Sequence, residues 1–506
     1  MLVCASCGAE NREGARFCDA CGAALAETAV AREVRKVVTV LFCDVSGSTA
    51  LGERIDPESL RRVMSRYFET ARAIVERHGG TVEKFIGDAV MAVFGVPTVH
   101  EDDALRAVRA AEELRGGLGE LNDELESGYG TRLELRMGVN TGEVVTGTEE
   151  RLATGDAVNV AARLEQAAQP GEVLLGGETY RLVRDVVEVE AAAPLEAKGK
   201  AEPLDAYRLV SVLTEAPGRR HEVPMIGRKR QRELLEGAFA NVVSDRSCHL
   251  FTILGPAGVG KSRLAEEFLA AADATVVSGR CLSYGEGISY WPVTEVVKQL
   301  VPRIEATGPL ASILGDDSAS GSPEEIAWAF RKLLEARAAE RPVVVVFDYL
   351  HWGEPTFLDL VEHVADLSRD APILLLCMAR AELLDVRPAW GGGKLNATTA
   401  LLEPLAPDET AELLASLGEG LDEQLRERIL EAAGGNPLFV EEMVAVAAEG
   451  EGDVAVPPTI HALLAARLDQ LDPAERGVLE RGAVEGQVFH RGAVTALAPD
   501  EPQVDR

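Results

Sequence analysis

The chain has 506 residues, with 51 basic against 83 acidic side chains and a formal net charge of -32, so its surface as a whole repels nucleic acid and anionic membrane. That length exceeds one hydrophobic core and predicts about three or four units, while 46% apolar and 26% charged residues describe a folded chain. The longest apolar runs, Val343 to Phe347 and Ile373 to Ala379, fall far short of the ~20 residues of a membrane span.

The chain opens on Cys4-x-x-Cys7 and Cys18-x-x-Cys21. Each pair can hold one side of a zinc ion, and two pairs complete a tetrahedral site with no position left for a catalytic water. Gly8 and Gly22 suit the turns that aim both sulfurs at one metal. So short a segment cannot fold on a core of its own, so the metal would supply most of its folding energy. No charged-then-apolar leader stands before these cysteines, and no secretory signal is expected. Cys43, Cys248, Cys281 and Cys377 are scattered, mostly in apolar runs, as buried thiols are in a reducing cytoplasm. The opening segment resembles the zinc ribbons found at the front of many bacterial multidomain proteins.

Residues 33–212 alternate strand and helix patterns. Val37 to Cys43 is a continuous apolar run, as in a strand buried on both faces. Asp56-Pro57 supplies an N-cap and a first-turn proline. Leu60, Met64, Phe68, Ala71 and Val75 follow at helical spacing until His78-Gly79-Gly80 stops the helix. A strand pair is expected around Phe85-Ile86-Gly87-Asp88. A second amphipathic helix runs from about Asp102, with Leu114, Leu118 and Leu121 on one face. Strands near 133–138 and 143–146, a helix from Ala157 and a strand at Val173 to Leu175 complete an α+β unit.

Three stretches of this unit carry chemistry. Asp44 ends the first strand and is followed by Val45-Ser46-Gly47-Ser48-Thr49, a small-residue turn whose N–H groups suit phosphate oxygens. Glu83-Lys84-Phe85-Ile86-Gly87-Asp88 places a second carboxylate in a hairpin turn, and Gly155-Asp156-Ala157-Val158-Asn159-Val160-Ala161-Ala162-Arg163 opens a helix. Each stretch alone reads as a cap, a hairpin charge or a wet helix face. Together, in this order, they resemble the class III adenylate/guanylate cyclase family over roughly residues 33–212. The resemblance implies a ferredoxin-like α+β fold and conversion of ATP, or GTP, to a 3′,5′-cyclic nucleotide plus pyrophosphate. It makes Asp44 and Asp88 the holders of two Mg²⁺ or Mn²⁺ ions, with the Val45 carbonyl as a further ligand. Gly47, Ser48 and Thr49 then line the phosphates and Lys84 contacts the base. Asn159 orients the ribose, and Arg163 meets the charge that grows in the transition state. It also implies a head-to-tail homodimer, the aspartates coming from one subunit and Lys84, Asn159 and Arg163 from the other. One position departs from the pattern. Where the family usually has Asp or Thr to select the base, this chain has Leu152, which cannot hydrogen-bond a purine, so ATP preference rests mostly on Lys84.

Residues 213–223, with Pro217-Gly218-Arg219-Arg220, read as a linker. Beyond it Gly255-Pro256-Ala257-Gly258-Val259-Gly260-Lys261-Ser262 fits GxxxxGK[ST], after the apolar strand Leu250 to Leu254 and ahead of a helix, the context this phosphate loop requires. Its N–H groups would cradle phosphates, Lys261 would reach the β- and γ-phosphates and Ser262 would bind Mg²⁺. Strands at 249–254, 343–347 and 373–378 alternate with helices and predict a parallel sheet, with Asp348 as a magnesium carboxylate. Met225-Ile226-Gly227-Arg228, Asp348-Tyr349-Leu350-His351-Trp352, Ala379-Arg380 and Gly434-Gly435-Asn436-Pro437 resemble the signalling (STAND) branch of the AAA-like ATPases over residues 225–455. The resemblance implies Mg-ATP binding, with the first motif by the adenine, Arg380 sensing the γ-phosphate and the Gly-Asn-Pro turn on the nucleotide. The acidic residue that usually follows the magnesium aspartate is Tyr349 here, so binding as a switch is expected ahead of fast hydrolysis.

The expected order is therefore a zinc ribbon (1–26), a cyclase domain (33–212), a linker (213–224), a P-loop ATPase (225–455) and the start of a winged-helix segment (456–506), in a chain expected to continue past Arg506. The expected partners are a second copy through the cyclase domain, ATP, and a regulatory protein or ligand of unknown kind, without nucleic acid or membrane. A second reading takes the cyclase fold as a weak sensor or scaffold and the ATPase as the switch. Leu152 is the residue that favours it.

Overall fold

The computed structural model describes residues 34–47, 55–129, 132–146, 153–184, 186–195, 203–213, 224–282, 290–301, 308–314, 321–418, 421–448, 457–471, 473–484 and 490–497, with the pairs 2–3, 10–11 and 20–21. Of the opening segment, Leu2–Val3 pairs antiparallel with Glu10–Asn11. Cys4, Cys7 and Cys18 lie outside the described residues, as does the linker stretch 214–223, and Cys21 is exposed. The chain divides into two compact units, one holding residues 1–76, 80–212 and 465–506, the other 77–79 and 213–464.

The first unit is built on seven strands: β1 (Val34–Ser46), β2 (Thr81–Ile86), β3 (Ala89–Phe94), β4 (Glu134–Thr146), β5 (Val173–Gly176), β6 (Val187–Ala191) and β7 (Ala206–Val212). They form one sheet in the order β2-β3-β1-β4-β5-β7-β6. Five described helices lie between these strands along the chain: α1 (Pro57–Arg77), α2 (Asp103–Gly116), α3 (Gly119–Tyr129), α4 (Asp156–Ala167) and α5 (Gly177–Val183). Side chains alternate across a strand, and β1 is apolar on both faces. Leu41, Cys43 and Val45 join the core that contains Tyr67, Ala71 and Ile74 of α1 and Ala107, Ala111 and Leu114 of α2. Val38, Val40 and Phe42 join the opposite core, with Ala157 and Ala161 of α4. Asp44 has the parity of Phe42, which turns it toward the α4 face.

Three expectations are corrected. The strands foreseen near 133–138 and 143–146 are one strand of 13 residues, β4, paired with β1 along its whole length from Val34↔Thr146 to Ser46↔Glu134. The helix foreseen from Asp102 through Leu121 breaks after Gly116, and α3 continues from Gly119. Along α1 the deepest residues are Val63, Tyr67, Ala71, Ile74 and Val75, while Leu60, Met64 and Phe68 flank the core. The apolar stripe is centred about one residue earlier than the leucine and methionine spacing suggests. The cap of α1 is present: Asp56 Oδ1 accepts from Glu58 N (3.1 Å) and Ser59 N (2.9 Å).

The second unit carries five parallel strands: β8 (Cys248–Leu254), β9 (Thr275–Arg280), β10 (Val343–Asp348), β11 (Ile373–Ala379) and β12 (Ala397–Leu401). Their order is β9-β10-β11-β8-β12. Val343, Val345 and Phe347 face one core and Val344 and Val346 the other, which is why β10 reads as an unbroken apolar run. Helix α6 (Lys229–Asp245) precedes β8, and α7 (Lys261–Ala271) follows it directly after the glycine-rich loop. The last described helices are Pro458–Gln470, Pro473–Gly482 and Arg491–Leu497. No helix among the described residues is long and apolar enough to cross a membrane.

Candidate active site and nucleotide loop

Antiparallel pairing of β1 with β3 sets Cys43 opposite Val90. Asp44, two residues before the end of β1, and Asp88 in the turn before β3 therefore lie at the same end of the sheet. Pairing of β1 with β4 sets Asp44 directly opposite Arg136. Directly opposed residues share a face, and here the two side chains meet: Arg136 Nε and Nη2 donate to Asp44 Oδ2 at 2.9 and 2.5 Å. Helix α4 brings a second carboxylate to the same guanidinium, with Glu165 Oε1 at 2.8 Å from Arg136 Nε. Neither Arg136 nor Glu165 stands out in the sequence.

Glu165 is 6% exposed. Burial, opposed by Arg136 and reinforced by the charges of Asp44 and Asp88, pushes its carboxyl up to about 7. The hydrogen bond to Asp44 raises Arg136 above the usual guanidinium value. Two carboxylates thus meet one arginine, and the charge of Asp88 acts on both Arg136 and Glu165, an excess of negative charge that suits a divalent cation. Asp44, Asp88 and the Val45 carbonyl are hard oxygen donors of the kind Mg²⁺ and Mn²⁺ take, two carboxylates with phosphate oxygens completing the shell. Among the described residues no group of three or more His, Cys, Asp or Glu is gathered at one point.

Lys84 lies on β2, the edge strand of the sheet, with Phe85 and Ile86 beside it 36% and 48% exposed. Asn159 and Arg163 lie on α4, Asn159 exposed and Arg163 half-buried. Arg163 and Glu165 are two residues apart, about 200° around a helix, so the face that carries Glu165 to Asp44 points Arg163 elsewhere. Gly47 takes φ +78° with open space around it, while Ser48, Thr49 and Leu152 lie outside the described residues.

A carboxyl raised by burial makes stability depend on pH. Between the ordinary glutamate value of 4.5 and about 7 the folded state holds the proton more tightly, so stability falls as pH rises through that window. Glu165→Gln removes this titration. The melting temperature of the variant relative to the parent is expected to be higher at pH 8 than at pH 5, read by thermal melts at both. A difference independent of pH would place the titration on another group.

In the second unit the glycine-rich loop leaves β8 at Gly255 and enters α7 at Lys261. Gly258 and Gly260 take φ +74° and +98°, which side chains disfavour. Lys261 Nζ arches back to the carbonyls of Gly255 and Pro256, both at 2.8 Å. The Gly434-Gly435-Asn436-Pro437 turn closes on the loop. Asn436 Nδ2 donates to the Ala257 carbonyl (3.0 Å) and Leu438 N to that of Gly258 (3.3 Å). Arg228 Nη2 donates to the Val259 carbonyl at 3.1 Å. Ser262 opens α7. Asp348, at the end of β10, is raised by burial and lowered by the charges of Arg280 and Lys261, and its Oδ1 accepts from Tyr349 N at 2.8 Å. Arg380 follows β11, 4% exposed, its guanidinium 5.9 Å from the Trp352 ring centre.

The comparisons with known proteins fall along the same segments. Residues 3–25 match a zinc-ribbon domain family, 30–211 the adenylate and guanylate cyclase catalytic domain, and 224–376 an AAA ATPase domain. An uncharacterized protein of Rhizobium meliloti (strain 1021) is 28% identical over 92% of this chain and 50% of its own length. Adenylate cyclase 1 of the same organism is 32% identical over 35% of this chain and 28% of its own length. The crystal structure of the adenylyl cyclase CyaB from P. aeruginosa is 33% identical, covering 36% of this chain and 98% of that one at a TM-score of 0.35. The chain spans half or less of the length of these two curated relatives. It carries, in order, a zinc ribbon, an adenylate/guanylate cyclase catalytic domain and an AAA ATPase domain.

Proposed function

We propose that the chain converts ATP to 3′,5′-cyclic AMP and pyrophosphate at Asp44 and Asp88, in a head-to-tail homodimer, under the control of its ATP-binding unit. The observation that carries the reading is the meeting of Asp44, Arg136 and Glu165 at the end of the sheet that also carries Asp88, within the segment that matches the cyclase family. Divalent cations held by Asp44, Asp88 and the Val45 carbonyl would acidify the ribose 3′-hydroxyl and neutralise phosphate charge. The residues do the rest. The N–H groups of Gly47, Ser48 and Thr49 donate to phosphate oxygens. Lys84 donates to the base, Asn159 holds the ribose, and Arg163 donates to the oxygens that gain charge as the leaving pyrophosphate separates. Glu165 and Arg163 point to different sides of α4, which fits a helix serving the site of its own subunit with one face and that of a second copy with the other. The exposed Phe85 and Ile86 beside Lys84 supply apolar surface for that contact.

The ATP-binding unit acts as a switch in this reading, its loop held by the Asn436 turn, while the opening cysteines Cys4, Cys7, Cys18 and Cys21 hold a structural zinc. The test is product analysis. Purified chain is incubated with Mn²⁺ or Mg²⁺ and ATP or GTP in separate reactions, and the products are identified by mass spectrometry. Cyclic AMP is expected, with less cyclic GMP. No cyclic product with either nucleotide from a folded dimer would leave the scaffold reading.

A further inference from the structure

In the ATPase unit the chain turns sharply after Asp348. Tyr349 takes a left-handed conformation (φ +55°) and stacks on Trp352, ring centres 4.8 Å apart, across a single turn of 3-10 helix, Leu350–Trp352. This turn delivers His351 to the end of β11, where its Nδ1 receives the backbone N–H of Arg380 at 3.4 Å. An Nδ1 that accepts must be unprotonated, so in the neutral ring the proton sits on Nε2. That Nε2 is buried and has no hydrogen-bond partner among the described residues.

Burial and the charges of Arg380 and Lys261 lower the imidazole to about 3, so the ring is neutral at any working pH and keeps this tautomer. The two cations acting on it belong to the nucleotide machinery itself: Lys261 of the loop and Arg380 after β11. A buried N–H donor without an acceptor is destabilising, and it lies where two cations favour an anion.

We propose that His351 is a nucleotide-binding residue of the ATPase unit, its Nε2–H donating to the terminal phosphate of a nucleoside triphosphate. This rests on the reading of residues 255–262 as the ATP loop. A neutral donor fixed by its own backbone contact to Arg380 has a role distinct from that of Lys261. It adds no charge for the diphosphate to exploit, and its Nε2–H finds an acceptor only when a third phosphate is present. The site thereby tells ATP from ADP without the acidic residue that Tyr349 replaces.

The test uses the full chain carrying Asp44→Ala, so that ATP is not cyclised, with Mg²⁺ and fluorescent N-methylanthraniloyl ATP or ADP as probes. The part of the signal lost in a further Lys261→Ala variant is the contribution of the loop. His351→Phe, which fills the ring's space without a donor, is expected to weaken loop binding of the ATP probe roughly tenfold or more, the scale of one hydrogen bond to a charged group, and that of the ADP probe less than about twofold. His351→Gln, whose amide can donate from nearly the same position, is expected to recover most of the ATP affinity. Should the Phe variant not fold, His351→Leu makes the same comparison. Equal losses for ATP and ADP, or no loss for either, would overturn the proposal and leave His351 a packing residue. Binding of both probes unchanged by Lys261→Ala would overturn the loop reading itself, and the proposal with it.

Discussion

Asp44→Ala is expected to lower cyclic-nucleotide formation about 10³-fold or more, the scale of the several kcal/mol of charge stabilisation that a metal carboxylate makes available, and to leave the first unit folded. The structure says why the two effects separate. The Asp44 side chain is 13% exposed, and its partner Arg136 is 34% exposed and also touches Glu165. Removing Asp44 therefore leaves no charge stranded: Arg136 keeps the Glu165 carboxylate and reaches water. Asp44→Asn makes the argument sharper. The amide oxygen can still accept from Arg136, so a role limited to positioning that arginine would survive the change, whereas a metal-holding role would not. Both variants are expected to be equally inactive, with melting temperatures close to the parent's. Cyclic product from Asp44→Asn at more than about a tenth of the parent's rate would move the metal-holding role off this residue.

The domain order and the fold class were legible because each rested on a local pattern. The cysteine pairs, the Asp44 and Asp88 turns and the GxxxxGK[ST] loop are short, and the strands before them announce themselves as apolar runs. What was not legible is what pairing creates. Arg136 is 92 residues from Asp44, and Glu165 is 29 residues from Arg136. In the sequence each is a charge near a strand end or on a helix. Only the register Asp44↔Arg136 and the parity of β1 bring them together. The alternation of Leu41, Cys43 and Val45 against Val40 and Phe42 does hold a clue, since it puts Asp44 on the face that α4 covers. His351 was hidden for the same reason. It was visible as one letter of the Tyr-Leu-His-Trp string, but its lone donor appears only once β10 and β11 lie side by side. Leu152, the departure at the base-selecting position that left ATP preference to Lys84, lies outside the described residues.

The misplaced break in β4 leads to the second large effect. Gly138 and Gly142 fall at the facing ends of the two strands foreseen near 133–138 and 143–146. In the structure they lie inside one continuous strand, and they are there for approach. A Cβ on Gly138 would stand 2.3 Å from both the Ala161 carbonyl oxygen and the Glu165 backbone nitrogen of α4. These are main-chain atoms of a packed helix and cannot swing aside, so α4 must lift. Gly138→Ala is expected to cost about 3 kcal/mol, the upper range for overpacking. The consequence reaches the chemistry, because the same helix carries Asn159, Arg163 and Glu165. At temperatures where the variant remains folded, turnover is expected to fall further than nucleotide affinity, since a shifted Arg163 forfeits contacts made chiefly in the transition state. Gly142→Ala provides the comparison. Its Cβ would meet the Ala157 Cβ at 3.0 Å, one methyl against another, and a shift of a few tenths of an ångström relieves it. Thermal melts and product assays of the two variants should therefore rank Gly138→Ala well below Gly142→Ala on both counts. Equal losses would mean that α4 yields readily at Gly138. The glycine would then be conformational punctuation, and the close contact of α4 with β4 would not be what holds Arg136 and Glu165 against Asp44.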